Sequence, residues 1–271
     1  MRKVIVTGSD GFIGRVLADR LRRLGYDVIC IDCNAGDNIR EVSDAIRAGG
    51  TEHVFHLAAW TSFGHVCDYC KMYGVKLVYA SAPTAKPGNT TRMNGLSQNF
   101  AEQYAKFYNR EATGVRLHNV YGPNPRQGTL LHALLSQENA TLYNNGANVR
   151  CFTYVDDIVD GLIHAAGSGE PLLNCVNDEP MTTLDFARKV QHLQTAHSMR
   201  AVKLWLTSDV RKHDSPGLVV DKDIPTIRLK YKSVDEGLKL CFNGYKVQDC
   251  PHGRVGRGVR GAHQEAGMPK V

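Results

Sequence analysis

The sequence predicts an α/β protein, a parallel sheet with helices on both faces and a smaller C-terminal lobe. Two observations carry that expectation. Strand-like and helix-like segments alternate from the first residues, and the strands are apolar along their whole length, as burial on both faces requires. The size agrees, since 271 residues with 42% hydrophobic and 22% charged content can bury one large core or two lobes.

Val4-Ile5-Val6 is the first strand, and an amphipathic helix follows from Phe12 to Leu24. Its apolar stripe is Ile13, Leu17, Leu21 and Leu24, with Arg15, Asp19, Arg22 and Arg23 mostly opposite. Val28-Ile29-Cys30-Ile31 reads as a buried parallel strand, Val42 to Ala48 as a helix, and His53 to Leu57 as the third strand. Further units are predicted at Lys76 to Tyr79, at the helix Gly95 to Tyr108 with Leu96, Phe100, Tyr104 and Phe107 inward, and at Gly114 to Leu117. From about Pro123 the alternation loosens. Helices over Val155 to Ala166 and Thr183 to Leu193 then suggest a smaller lobe. The expected organisation is a first domain over 1–125, an interleaved lobe over 126–245, and a tail over 246–271. In that tail Lys246, Arg254, Arg257, Arg260 and Lys270 outweigh Asp249 and Glu265, and glycines replace large apolar residues, so a flexible basic Gly/Arg segment is expected. It lacks the aromatic interleaving that nucleic-acid binding uses.

The net charge is +6, too modest to imply a polyanionic partner. No apolar run approaches membrane-spanning length and no secretory leader is evident, so the cytoplasm is the expected compartment. The eight cysteines (Cys30, Cys33, Cys67, Cys70, Cys151, Cys175, Cys241, Cys250) are then expected as reduced thiols. The pairs Cys30/Cys33 and Cys67/Cys70 have a spacing zinc sites use. Cys30 lies in a buried strand and Cys67 and Cys70 on a short helix, which favours structural cysteines and no metal.

The functional signal is the turn Thr7-Gly8-Ser9-Asp10-Gly11-Phe12-Ile13-Gly14 between the first strand and helix. Gly8 suits a tight turn, Gly11 a close approach of pyrophosphate to backbone, and Gly14 close packing of helix on strand. Free amides and the helix dipole then face the phosphates. Asp32 ends the second strand, where a carboxylate accepts from both ribose hydroxyls and repels a 2′-phosphate. These features predict a Rossmann-type domain that binds NAD rather than NADP.

Several further motifs fall in a fixed order. His56-Leu57-Ala58-Ala59 follows a strand, and Tyr73-Gly74-Val75-Lys76 leads into Leu77-Val78-Tyr79-Ala80-Ser81. Later come Arg116-Leu117-His118-Asn119-Val120-Tyr121-Gly122-Pro123, Phe152-Thr153-Tyr154-Val155-Asp156-Asp157-Ile158 and Ser233-Val234-Asp235-Glu236-Gly237-Leu238. Together they resemble the extended short-chain dehydrogenase/reductase family, the NAD-dependent nucleotide-sugar epimerases and dehydratases. The resemblance implies cofactor contacts at Gly8, Gly11, Phe12, Ile13, Gly14, Asp32, Asp37, Leu57, Ala58, Ala59 and His118. It implies that Asn119 and Arg150 hold the nucleotide diphosphate, a task suited to a bidentate guanidinium. A second phosphate-gripping Arg is missing, since Trp205-Leu206-Thr207 stands before Ser208-Asp209-Val210.

In that family a Tyr, acidified by a Lys four residues later, moves a proton while NAD takes a hydride, and a Ser or Thr holds the same substrate oxygen. Here Asn94 stands at the Tyr position, Gln98 at the Lys position and Ala82 at the hydroxyl position, with Ser81 and Thr84 nearby. No Tyr-x-x-x-Lys occurs elsewhere. Loss of a positioned acid-base group costs about 10²–10⁴ in rate. Tyr79, His56 and His118 are the nameable substitutes. The chain is also shorter than the resemblance implies around Gly36-Asp37-Asn38-Ile39, between Ala59 and Val66, and from Pro83 to Met93. Those cuts bear on the helices through which the family pairs with a second subunit, so the usual dimer is not assured. Two expectations result: a nucleotide-sugar enzyme with atypical or weakened catalysis, or a non-catalytic NAD-binding module serving as a redox sensor or partner-binding protein.

Overall fold

The computed structural model describes residues 2–32, 39–58, 62–86, 93–210 and 220–243. The 246–271 tail, Cys33, Asp37, Ala59 and Cys250 lie outside those residues. Strands β1 (Lys3–Thr7), β2 (Asp27–Ile31), β3 (Thr51–His56), β4 (Lys76–Ser81), β5 (Thr113–Leu117) and β10 (Leu172–Cys175) form one six-stranded sheet in the order β10-β5-β4-β3-β1-β2. Every pairing in it is parallel. The crossovers are α1 (Phe12–Arg23), α2 (Ile39–Arg47), α3 (Phe63–Met72), α4 (Met93–Tyr108) and, later, α6 (Val155–Ser168).

Alternation along each strand divides the core into two layers. Val4, Val6, Phe55, Val78 and Val115 face Leu17 and Leu21 of α1 and Ile158 and Leu162 of α6. Ile5, Val54, Leu77 and Tyr79 face the other way, onto Val42, Ile46, Val66, Ala101 and Ala105 of α2, α3 and α4. Cys67 and Cys70 belong to this second layer, and burial pushes both thiols up to about 12, so they pack as protonated apolar groups.

Three expectations about burial need correction. The strand Val28 to Ile31 is only half-buried except at Ile31, because β2 is the outermost strand of the sheet among the described residues. In α4 only Tyr104 of the four large side chains expected inward packs on the core. Leu96, Phe100 and Phe107 are 52%, 55% and 74% exposed, while Gly95, Ser97, Ala101, Glu102 and Ala105 are buried. Small residues let α4 lie close to its neighbours: a Cβ on Gly95 would fall 2.8 Å from the Thr84 carbonyl oxygen. Leu24, just past α1, is likewise 52% exposed.

The remaining elements are β6 (Val120–Tyr121), α5 (Leu130–Ser136), β7 (Asn139–Leu142), β8 (Val149–Cys151), β9 (Thr153–Tyr154), β11 (Pro180–Thr182), α7 (Thr183–Ala196), β12 (Lys203–Leu206) and α8 (Val234–Asn243). They pair as β6 with β9, β7 with β12 and β8 with β11. They share a third core built on Leu131, Leu134, Phe152, Phe186, Val190 and Leu238, with the Phe152 and Phe186 rings stacked 3.9 Å apart. The chain returns to the main sheet for α6 and β10, so the lobe is interleaved with the first core. No helix among the described residues is long and apolar enough to cross a membrane.

Candidate functional site

The glycine turn adopts the geometry its spacing implies. Gly8 has φ +70°, and a Cβ there would lie 2.8 Å from the Ala58 nitrogen. A Cβ on Gly14 would overlap the Gly8 carbonyl oxygen, and one on Gly11 would sit 3.0 Å from the same oxygen. The turn is a cradle that side chains would fill. Gly8, Gly11, Phe12, Ile13, Gly14 and Leu57 line a cleft of about 510 Å³ at the C-terminal ends of the strands. Asp32, 6% exposed, accepts a hydrogen bond from the Asp10 backbone N–H at 3.0 Å through Oδ2, which ties the tip of β2 to the turn. The glycine turn therefore leaves the room that the phosphates of a dinucleotide would need.

The same cleft continues past Ala80, Ser81 and Gln98 to Asn119, Arg126 and Phe152. A second cavity of about 580 Å³ begins there, lined among others by Asn119, His132, Tyr143, Asn148 and Arg150. Asn119 borders both. It has φ +35°, and its Nδ2 donates to the Cys151 carbonyl at 3.3 Å, which fixes it between β6 and β8. Arg150 donates through Nη1 to the Val149 carbonyl at 2.7 Å.

Of the positions expected to carry chemistry, Ser81 and Gln98 line the cleft and Asn94 is exposed on the first turn of α4. Thr84 Oγ1 donates to Gln98 Oε1 at 3.3 Å. The three candidate substitutes lie elsewhere. Tyr79 is 2% exposed, and its phenol is driven upward by burial. His56 is buried, its Nδ1 2.8 Å from Thr7 Oγ1. His118 is not among the residues lining the cleft, where Leu117 and Asn119 stand. It is buried, its Nε2 3.4 Å from Asn174 Oδ1, and burial pushes its pKa down to about 4.

Sequence reading missed the group behind Ser81. Ser81 Oγ donates to Glu102 Oε1 at 2.6 Å, and Arg116 donates to both Glu102 oxygens, from Nε at 2.8 Å and Nη2 at 2.7 Å. Arg116 Nη1 reaches Asp221 Oδ2 at 3.2 Å, and Lys86 pairs with Asp221 at 3.4 Å. The available signal was Glu102 one helical turn beyond Gln98, and Arg116 inside a motif already noticed. Arg126, Thr129 and Phe186 also border the cleft without any local mark in the sequence.

A parallel six-stranded sheet with a glycine cradle at the end of its first strand defines a Rossmann-type α/β protein. The chain belongs to the NAD dependent epimerase/dehydratase family, whose signature matches residues 4–95 and 65–174. Protein CapI of Staphylococcus aureus is 25% identical over 226 residues, covering 59% of this chain and 68% of its own. An uncharacterized 37.6 kDa protein of Escherichia coli O111:H- is 24% identical over 340 aligned positions, covering 90% of this chain and 98% of its own. A span of that length exceeds the 271 residues available, so this chain is shortened internally against that relative. Among solved structures, MoeE5 in complex with UDP-glucuronic acid and NAD superposes with a TM-score of 0.73 at 22% identity, over 89% of this chain and 98% of that one, a likeness of fold.

Proposed function

We infer that the protein holds NAD in the glycine cleft and a nucleotide-diphosphate sugar in the adjoining cavity, as an epimerase- or dehydratase-type protein with altered catalytic residues. The observation that carries this reading is the continuity of the two cavities at Asn119. Two ligands filling them would meet at Asn119, Thr129 and Phe152, with Ser81 and Gln98 in the wall of the first. MoeE5, which shares the fold, is named as binding UDP-glucuronic acid together with NAD. When bound, NAD supplies a hydride acceptor and donor. The Gly8 to Gly14 turn would bind the pyrophosphate, Asp32 would accept from the ribose, and Asn119 and Arg150 would grip the diphosphate. Ser81, whose proton is engaged by Glu102, would offer its oxygen lone pairs to a sugar hydroxyl.

Asn94 and Gln98 favour a second reading, in which cofactor and sugar nucleotide bind without turnover, because neither amide titrates near neutrality. Calorimetric titration with NAD, NADP, UDP-glucose and UDP-glucuronic acid tests the first reading: saturable NAD binding that strengthens uptake of one sugar nucleotide supports it, and no NAD binding sinks it. Turnover by the native chain, measured as interconversion of the bound sugar, separates the two readings. The triple variant Ala82→Ser, Asn94→Tyr, Gln98→Lys should gain turnover if the sugar reaches the cofactor; no gain counts against a working sugar pocket.

A further inference from the structure

A third cavity, of about 550 Å³, lies on the opposite side of Glu102 from Ser81, between α4 and the β5–β10 edge of the sheet. It is lined by Tyr79, Glu102, Lys106, Phe107, Arg110 and Leu172, among others. We propose that it is a second small-molecule site, separate from the cofactor cleft, for an amphipathic anion with a flat apolar body and a carboxylate or sulfonate.

The floor carries the first argument. Tyr79 is 2% exposed, yet among the described residues its hydroxyl has no hydrogen-bond partner. Its tip is pressed against the backbone of β5, where a Cβ on Gly114 would fall 2.6 Å from the hydroxyl and 2.8 Å from Leu172 Cδ1. Glycine at that position makes the room the phenol occupies. Tyr79 lines the cavity with no protein acceptor for its hydroxyl among the described residues, so an acceptor atom entering the cavity can take a hydrogen bond from it. The wall supplies apolar contact from Phe107, Ala112, Pro171 and Leu172. Glu102 does not repel an anion strongly, because its carboxylate is occupied by Arg116 and Ser81.

The mouth carries the second argument. Lys106 and Arg110 are exposed and one turn apart on and just beyond α4, and among the described residues neither forms an ion pair. Two uncommitted cations over an apolar recess with a hydroxyl at its base select an anion that is apolar behind its charge. The volume lies within the range of small-molecule pockets.

The test uses the full chain and naphthalene-2-carboxylate, with neutral naphthalene-2-methanol as its matched control, by calorimetry. One-to-one binding of the acid is expected, weaker by roughly tenfold for the alcohol and for the pair Lys106→Glu, Arg110→Glu. Tyr79→Phe should weaken the acid several-fold, in keeping with one lost hydrogen bond. Phe100→Glu, on the outer face of α4, should leave binding unchanged, as should saturating NAD. Failure of the acid to saturate, equal affinity for acid and alcohol, or indifference to the Lys106 and Tyr79 changes would overturn the proposal. Loss of binding in Phe100→Glu would do so as well, by placing the probe on the outer face of α4.

Discussion

The Glu102–Arg116 pair offers the sharpest test of what holds α4 to the sheet. Both side chains are about 5% exposed, and Glu102 accepts three hydrogen bonds, from Ser81 and twice from Arg116. Glu102→Ala would leave a buried guanidinium with Asp221 at 3.2 Å as its remaining acceptor. Stranding one member of a buried pair costs about 3–5 kcal/mol. Arg116→Met should cost a similar amount, since Glu102 would keep only the Ser81 hydroxyl. The double variant Glu102→Leu, Arg116→Met removes both charges and fills the space with apolar groups, and Asp221 keeps Lys86. Its cost should fall below about 3 kcal/mol, well under the combined single costs. Urea unfolding followed by circular dichroism, with the slope compared across variants, measures all three. Additive costs, or a Glu102→Ala loss under about 1 kcal/mol, would refute the idea that these charges are committed to one another.

Other outcomes follow from the same physics. Burial pushes the His118 pKa from the ordinary 6.5 down to about 4 in the folded chain. The unfolded chain therefore binds its extra proton first, and stability present above pH 6.5 is lost as pH falls towards 4. That amounts to about 3 kcal/mol at 1.36 kcal/mol per unit, and His118→Gln should flatten this part of a stability-against-pH curve. Gly14→Ala should abolish NAD binding or folding, because its Cβ overlaps the Gly8 carbonyl; calorimetry with circular dichroism distinguishes the two. Asp32→Ala should weaken NAD while the fold survives, and it should narrow any preference over NADP.

Much of the frame was legible because it rests on local rules. Continuous apolar strands, one amphipathic first helix and three glycines at fixed spacing determine β1, α1 and their junction almost residue by residue. What escaped depends on partners distant in sequence. The α4 pattern has a clear apolar stripe at Leu96, Phe100, Tyr104 and Phe107, but periodicity does not say which side meets the sheet. Close packing there demands the small residues Gly95, Ala101 and Ala105 instead. The Ser81–Glu102–Arg116 network joins a strand, a helix and a neighbouring strand, so no short window of sequence contains it. The burial of His118 is of the same kind. A motif locates a residue along the chain, while packing decides where its side chain points: Leu117 and Asn119 line the cleft and His118 is buried.

Parallel pairing gives the chain's shortened places a common address. The stretches read as trimmed follow β2, β3 and β4, and in a parallel sheet the ends of these strands open onto one rim. Material absent at that rim would leave the two core layers untouched, since these are built from strand interiors and helix faces. Enclosure and support are thus separable properties of this architecture. In such a fold the segments at the rim can vary in length while the scaffold that positions the glycine turn stays whole.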